Sequence, residues 1–216
     1  VVILPLLVVI GVSFNPTSKF IVATTHVSLK WYAAFFARRE YVHALFLVSL
    51  PLALIAATLA TAIGTLAAIA LVRFRMIGRH VLEAVFMTPI LIPSILLGLA
   101  LYLLFARAGV AGSFGSLAIG HMLIGIPFVI RVVAAGLVGV NPALEEAAIS
   151  LGCTKVQAFR KVVVPLLRSS ILSGAIFAFI LSFSDVNGAL VRSGPTTNTM
   201  PLQMFSDIQW QSDPTI

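Results

Sequence analysis

Asp185 is the acidic residue with the strongest claim to a chemical role, because it lies inside an apolar run, residues 170–191. A charged side chain in hydrocarbon costs at least about 2.5 to 3.5 kcal/mol, so its presence there is by default a hypothesis of function. Ser184, Asn187 and a glycine accompany it and predict a helix that breaks while lining a wet cavity. Two interpretations stay open. Asp185 lines a substrate path with Ser184 and Asn187, or it ends the helix or pairs with a basic group such as Arg131.

No residue pattern of an enzyme accompanies Asp185. The sequence has no Gly-x-x-x-x-Gly-Lys-Ser/Thr phosphate loop, so we expect no ATP hydrolysis by that mechanism on this chain. It also lacks His-Glu-x-x-His and Gly-x-Ser-x-Gly, and its single cysteine, Cys153, allows no multi-cysteine metal site. Of four dispersed histidines only His121 falls at membrane depth, where a hydrogen bond between helices is its expected role. We therefore predict no catalytic residue, no metal site and no cofactor bound by this chain.

Residues 141–168 carry the clearest local pattern outside the apolar runs. Asn141 followed by proline is typical of a helix start, since asparagine caps the first N–H groups and proline gives up only an orphan donor. Glu145 and Glu146 fall in the first turns, where the helix dipole favours negative charge. The helix is expected to end at Gly152.

A second short helix is predicted to follow at once. Thr154 and Gln157 have the spacing of a capping box, and Pro165 is expected to end the helix. Its one apolar face would consist of Val156, Phe159, Val162 and Val163. Two short amphipathic helices joined by a glycine turn suit docking into a groove of a partner protein.

The composition places these patterns in a membrane protein. Of 216 residues, 60% are hydrophobic and 10% charged, and the mean hydropathy is +1.10. A soluble domain has about a quarter of its residues charged, and a disordered chain is poor in hydrophobic residues, so both classes are excluded. The net charge of +7 does not indicate nucleic-acid binding, because the basic residues are spread along the chain rather than clustered on one face.

Five apolar stretches qualify or nearly qualify as membrane spans of about 20 residues. They are residues 1–14, 44–72, 82–105, 116–137 and 170–191. The first is too short and is expected to be the end of a helix that begins before this sequence, and a further helix is expected after the last. Pro89 and Pro93 should kink the third stretch. The predicted fold is all-α, a polytopic bundle of membrane helices.

Lysine and arginine residues in the short loops predict the orientation of the bundle. Three arginines lie within residues 73–79, and four basic residues lie within 155–168. Both loops are therefore predicted to face the cytoplasm, with residues 15–41 and 192–216 outside.

The region with two short helices resembles the EAA loop of ABC importer permeases. Glu146-Ala147-Ala148 is followed by three residues and Gly152, then by nine residues, Val162, one residue and Val164-Pro165. This is the spacing of the family's pattern, with valine in place of isoleucine and of leucine. Further segments, over nearly the whole chain, are similar to the spermidine/putrescine-type permeases: Ser13-Phe14-Asn15, Leu29-Lys30-Trp31-Tyr32, Phe177-Ala178-Phe179, Ser193-Gly194-Pro195 and Pro201-Leu202-Gln203.

The resemblance implies a single permease domain of the type I ABC importer kind over residues 1–216, with six helices in the full protein and both ends in the cytoplasm. Residues 141–168 would form its coupling loop, which seats in a cleft of a separate ATPase subunit. The residues implied in this coupling are Glu145, Glu146, Ala147, Ala148, Gly152, Phe159 and Pro165. Glu146 would pair with basic groups of the ATPase, and Phe159 would anchor the packing. For Gly152 and Pro165, a purely structural role in a cytoplasmic loop is an equal alternative.

The implied function is the translocation path of an ATP-driven importer in the bacterial cytoplasmic (inner) membrane. Its implied partners are two ABC ATPase subunits that carry ATP, a second permease subunit, an external or periplasmic solute-binding protein, and membrane lipid. Polyamine permeases usually carry two adjacent acids where this sequence has Ser184-Asp185. The solute is therefore polyamine-like, or iron(III), a phosphonate, thiamine or an opine. The alternative is a passive channel or an integral membrane enzyme, although a channel needs no docking loop and an enzyme needs a paired acid–base or metal set at one depth.

Overall fold

The computed structural model describes residues 3–15, 27–74 and 76–210. Within these ranges every regular element is helical, which confirms the predicted all-α fold. The helices are α1 (Leu4–Ser13), α2 (Lys30–Ala37), α3 (Arg39–Val42), α4 (Leu50–Arg73), α5 (Arg79–Leu91), α6 (Ser94–Arg107), α7 (Phe114–Val138), α8 (Pro142–Ser150), α9 (Lys155–Ala158), α10 (Val164–Phe183), α11 (Asn187–Arg192) and α12 (Met200–Trp210). Two π-helical segments, π1 (His43–Ser49) and π2 (Phe159–Val163), precede α4 and α10.

Three helices of the described ranges are long and apolar enough to cross a membrane: Arg39–Arg73, Phe114–Val138 and Lys155–Phe183. The pair α5 and α6 passes the same test together but is bent by 106° at the break between them, and it makes a fourth span if it crosses as one. The sequence predicted five spans. Of these, the first is the short helix α1, with 10 residues, and the last, predicted at residues 170–191, has different bounds.

Pro165 does not end a helix, contrary to the sequence prediction. It lies in the first turn of α10, and α9, π2 and α10 form one continuous helix, Lys155–Phe183. A proline removes one N–H donor, and its ring crowds the carbonyl four residues earlier. The i→i+5 bonding of π2 directly before it relieves this conflict, and π1 precedes Pro51 of α4 in the same way. In place of the predicted span at residues 170–191, the structure therefore has the longer helix Lys155–Phe183. Residues 187–192 form the separate helix α11.

The break between α5 and α6 falls at residues 92–93, as the prolines of this stretch predicted. Ile92 is extended, with φ −89° and ψ 129°, which is the conformation that a following proline favours. Pro89 lies inside α5, so it is Pro93 that ends the helix.

Small residues let α4, α7 and α10 approach each other closely in the centre of the bundle. A Cβ atom on Gly125 of α7 would lie 3.1 Å from the Cβ of Ala60 in α4 and 3.2 Å from the Cβ of Ala178 in α10. Membrane helices have no hydrophobic driving force between them, so close packing of this kind supplies much of their attraction. Two regions are attached to this three-helix core: residues 141–168 and the surroundings of Asp185.

Candidate functional site

The first predicted short helix is present as α8, whereas the second, α9, forms the first turn of the long helix Lys155–Phe183. The local signals that begin and end these segments act as expected. Asn141 Oδ1 accepts a hydrogen bond at 3.0 Å from the N–H two residues later and begins α8. Gly152 follows α8 with φ +95°, a left-handed conformation that costs other residues about 1 to 2 kcal/mol. Thr154 and Gln157 make both bonds of a capping box, at 3.3 and 2.9 Å, and begin α9. The caps and the glycine turn predicted from the sequence are confirmed.

The hairpin formed by α8, α9 and their connecting turn (residues 142–158) offers an exposed surface to a partner. No residue of α8 is buried. Glu146 and Ala147 are exposed, whereas Ala148 and Phe159 are partly buried. Phe159 packs against the apolar cluster of Leu137, Val163 and Leu167 at the base of the hairpin. Of the predicted coupling residues, the structure leaves Glu146 and Ala147 open to contact and turns Phe159 towards its own bundle.

Glu145 has a partner within the chain. Arg73 Nη1, at the end of α4, donates a hydrogen bond to Glu145 Oε2. The Cζ atom of the same arginine lies 5.8 Å from the centroid of the Phe159 ring, within the range of a cation–π contact. The pair brings the end of α4 and the start of α8 to the same end of the bundle, in agreement with the prediction that their two loops share one side of the membrane.

Asp185 lies between α10 and α11, where it forms an ion pair with Arg192 and lies beside the ring of His121. Its Oδ2 accepts a hydrogen bond from Arg192 Nη2 at 2.8 Å and lies 3.8 Å from His121 Nε2. Its Oδ1 accepts the N–H of Gly188 at 3.0 Å. The side chains of Asp185, Arg192 and His121 are 10%, 2% and 0% exposed. The ion pair left open by the sequence is therefore present, with Arg192 as its partner, while Arg131 is exposed.

The helix break predicted around Asp185 is confirmed, since α10 ends at Phe183 and α11 begins at Asn187. Ser184 and Asn187 are exposed, and Ser184 Oγ donates a hydrogen bond to the carbonyl of Ile180 at 2.7 Å. The structure therefore brings Asp185 into an ion pair with Arg192 and leaves Ser184 and Asn187 on the exposed surface of the same break.

His121 joins α7 to α10, which is the role predicted for it. Its Nδ1 lies 3.1 Å from the carbonyl oxygen and 3.0 Å from the hydroxyl of Ser182. Arg192 is the residue of the ion pair that the sequence interpretation does not include, because it is counted there as a basic residue of an outer loop. Its place only seven residues after Asp185 in the sequence is the signal that could have indicated the pair. Helical periodicity does not relate the two residues, because α10 ends before Asp185 and α11 begins after it.

The regions predicted to lie outside pack together at the opposite end of the bundle. Tyr41 Oη donates a hydrogen bond to Asp207 Oδ2 at 2.5 Å. The Met200 N–H donates to Ser49 Oγ, near the start of the predicted span 44–72, at 2.7 Å. A cleft of about 520 Å³ lies between the two regions. It is lined by Arg39, Glu40, His43, Asn198 and Gln203 among others. The stretch predicted as an outer loop contains α2, and its residues 16–26 lie outside the described ranges.

Known proteins similar to this chain are components of transport systems. The family described as "Binding-protein-dependent transport system inner membrane component" matches residues 60–200. Over 95% of its length the chain is 31% identical to the spermidine/putrescine transport system permease protein PotC of Escherichia coli (strain K12), of which it covers 77%. Over 98% of its length it is 33% identical to the putrescine transport system permease protein PotI of the same strain, of which it also covers 77%.

Two solved structures share the fold. A crystal structure of an amino acid ABC transporter with histidines matches 84% of this chain and 86% of its own, with a TM-score of 0.61 at 20% identity. The crystal structure of a bacterial ABC transporter involved in the import of the acidic polysaccharide alginate matches 96% of this chain and 74% of its own, with a TM-score of 0.64 at 15% identity. At these identities the likeness concerns the fold alone.

These relatives confirm the resemblance to spermidine/putrescine-type permeases. They are transporter components and not enzymes, and the long apolar helices agree with a place in the inner membrane. The chain therefore belongs to the family of binding-protein-dependent transport system inner membrane components, as a membrane-spanning permease subunit of an ABC importer.

Proposed function

We propose that this chain lines one half of the translocation path of its importer, and that a second permease subunit lines the other half. Two ATPase subunits, which carry the ATP, bind from the cytoplasm, and an external binding protein delivers the solute to the opposite end. The observation that supports this arrangement best is the hairpin, whose helices are capped and whose residues Glu146 and Ala147 are exposed.

Glu146 is the residue through which we expect the ATPase to be engaged. Its carboxylate is exposed near the start of α8, where basic groups of a partner can reach it. Charged pairs across an interface fix the register of two proteins and exclude wrong orientations. Ala147 and Ala148 beside it add little bulk, and Gly152 sets the angle between α8 and α9. Phe159 and Pro165 contribute further in, where the hairpin joins the bundle.

The solute is proposed to be small and charged, with polyamines as the first candidates. The supporting observation is that two relatives at 31% and 33% identity are named for spermidine and putrescine transport. In this chain Arg192 neutralises Asp185, so an ammonium group of a solute meets a carboxylate that already has a cationic partner. Ser184 and Asn187, exposed at the same break, are the proposed polar contacts of the path.

The test is uptake by the whole importer reconstituted in proteoliposomes, with its ATPase, second permease and binding protein. ATP-dependent uptake of labelled spermidine or putrescine is expected, and Glu146→Lys should abolish uptake and solute-stimulated ATP hydrolysis while membrane insertion persists. Glu83→Lys is the matched control, since Glu83 is also an exposed acid, in α5, away from the hairpin. Uptake without ATP would instead support a passive channel, and normal uptake by Glu146→Lys would refute the docking role.

A further inference from the structure

The guanidinium group of Arg73, at the end of α4, contacts two segments of the coupling region, α8 and π2. Its Nη1 donates a hydrogen bond to Glu145 of α8, and its Cζ lies 5.8 Å from the centroid of the Phe159 ring at the start of π2. The planar group can do both at once, because its edge donates hydrogen bonds while its face lies over an aromatic ring. One side chain of α4 thus holds α8 and π2 in a fixed relation.

The two charges of the pair also suit the helices that carry them. Arg73 lies in the last turn of α4 and Glu145 in the first turn of α8. A cation is favoured at the C-terminal end of a helix and an anion at the N-terminal end. The side chains are 30% and 16% exposed, so the pair is partly shielded from water and is screened less than a fully exposed pair.

An apolar contact lies directly beneath the pair. Ile69 and Val72 of α4 pack against a cluster of Leu137, Val163 and Leu167, which also receives Phe159. Val163 and Leu167 are 0% and 1% exposed. The base of the hairpin is therefore packed on the end of α4, and Arg73 closes the edge of this contact.

The neighbouring acid, Glu146, is arranged differently. Its side chain is exposed, and within the described ranges it forms no ion pair. The two adjacent glutamates of α8 thus face different surroundings, one towards this chain and one towards solvent.

We propose that Arg73 is a positioning residue for energy coupling. Through Glu145 it fixes the orientation of α8 on α4, so that a displacement of α8 by the ATPase moves α4 and, through the core of α4, α7 and α10, the rest of the bundle. The two glutamates then have separate roles: Glu146 meets the ATPase and Glu145 passes the motion into this chain. This inference rests on the proposed function of the hairpin.

The experiment is a charge exchange in the whole reconstituted importer, with uptake and ATP hydrolysis measured on the same proteoliposomes. Arg73→Glu and Glu145→Arg, each alone, are expected to lower uptake by about 5-fold or more while the ATP hydrolysed per solute molecule rises. The double variant should recover uptake to within about 3-fold of the unmodified protein, since its residual deficit reflects charges that oppose the helix dipoles. Arg79→Glu is the matched control for reversing a basic charge on this side, because Arg79 is exposed and forms no ion pair within the described ranges.

The outcomes separate this inference from the proposed function. If the unmodified importer shows no ATP-dependent uptake, the proposed function itself fails. If it transports, and the exchanged double variant does no better than the single variants although all assemble, the positioning role is refuted. Arg73→Gln and Glu145→Gln cover the case in which a reversed charge prevents insertion. Normal uptake and an unchanged ratio of ATP to solute in both of these variants would also overturn the inference.

Discussion

Arg192 Nη2 lies 2.8 Å from Asp185 Oδ2, so the acid at the break of the last long helix has its counter-ion in the short helix that follows. Arg192 Nε also donates to the carbonyl of Gly188 at 2.9 Å. The guanidinium group packs directly on Gly120 of α7, where a Cβ atom would collide with it. The pair therefore ties α11 to α10 and is covered by α7.

Replacing Arg192 by alanine should destabilise the protein strongly. The change leaves Asp185, 10% exposed, as a buried carboxylate without a cation, which costs about 3 to 5 kcal/mol. The measurement is thermal or denaturant unfolding of the purified subunit complex in detergent. Arg107→Ala, at an exposed arginine in the last turn of α6, is the control. The double variant Asp185→Asn/Arg192→Gln should be more stable than Arg192→Ala, and a double variant equally unstable would contradict the ionic explanation.

Replacing His121 by phenylalanine should weaken the contact between α7 and α10 modestly. The variant loses the hydrogen bonds of Nδ1 to Ser182, and such interhelical bonds are worth about 0.6 to 1.7 kcal/mol in membrane proteins. Unfolding in detergent measures the change, with the exposed His80 as the control position. An unchanged free energy of unfolding would mean that these hydrogen bonds make no net contribution to stability.

Alanine at Gly64 should destabilise the core, whereas alanine at Gly115 should not. A Cβ atom on Gly64 would lie 2.7 Å from the Cβ of Val129, while a Cβ atom on Gly115 would meet nothing within 4 Å. Overpacking of this kind costs about 1 to 3 kcal/mol, and the helix propensity of alanine should favour Gly115→Ala by up to about 1 kcal/mol. Equal unfolding midpoints for the two variants would contradict the close approach of α4 and α7.

Gly152→Ala should disturb the hairpin without unfolding the bundle. With φ at +95°, an alanine there is strained by about 1 to 2 kcal/mol. Gly139→Ala is the control, because Gly139 has φ −74° at the end of α7. Hydrogen exchange is expected to accelerate in α8 and α9 of the Gly152 variant and to remain slow in the core helices. Unchanged exchange in the hairpin would show that the turn tolerates a side chain.

The parts of the structure that follow from neighbouring residues could be predicted from the sequence. The residues that cap or turn the hairpin act on the backbone within about one helical turn of themselves. The sequence around Asn141, Gly152 and Thr154 therefore determines where these caps and the turn form. The Asp185–Arg192 pair was only half predicted, because the acid was noticed and its partner depends on how the chain folds back after Phe183. Arg192 is only seven residues from Asp185, so the sequence brings the two near each other. The burial of both side chains, however, results from packing against α7.

One wrong prediction has its cause in tertiary structure. The sequence predicts that Pro165 ends a helix, because local rules treat proline as a stop. The π2 segment before Pro165 changes the hydrogen-bond pattern, and helix packing around it supports a conformation that isolated peptides rarely adopt.

Each π-helical segment also changes the angular phase of the helix that contains it. A turn with one additional residue rotates everything beyond it by about 100° relative to an uninterrupted α-helix. In Lys155–Phe183 the residues before and after π2 therefore do not share the stripe that a constant period of 3.6 would assign to them. The same continuous helix can therefore turn one face of its first turns towards a cytoplasmic partner and a different face of its later turns towards neighbouring membrane helices.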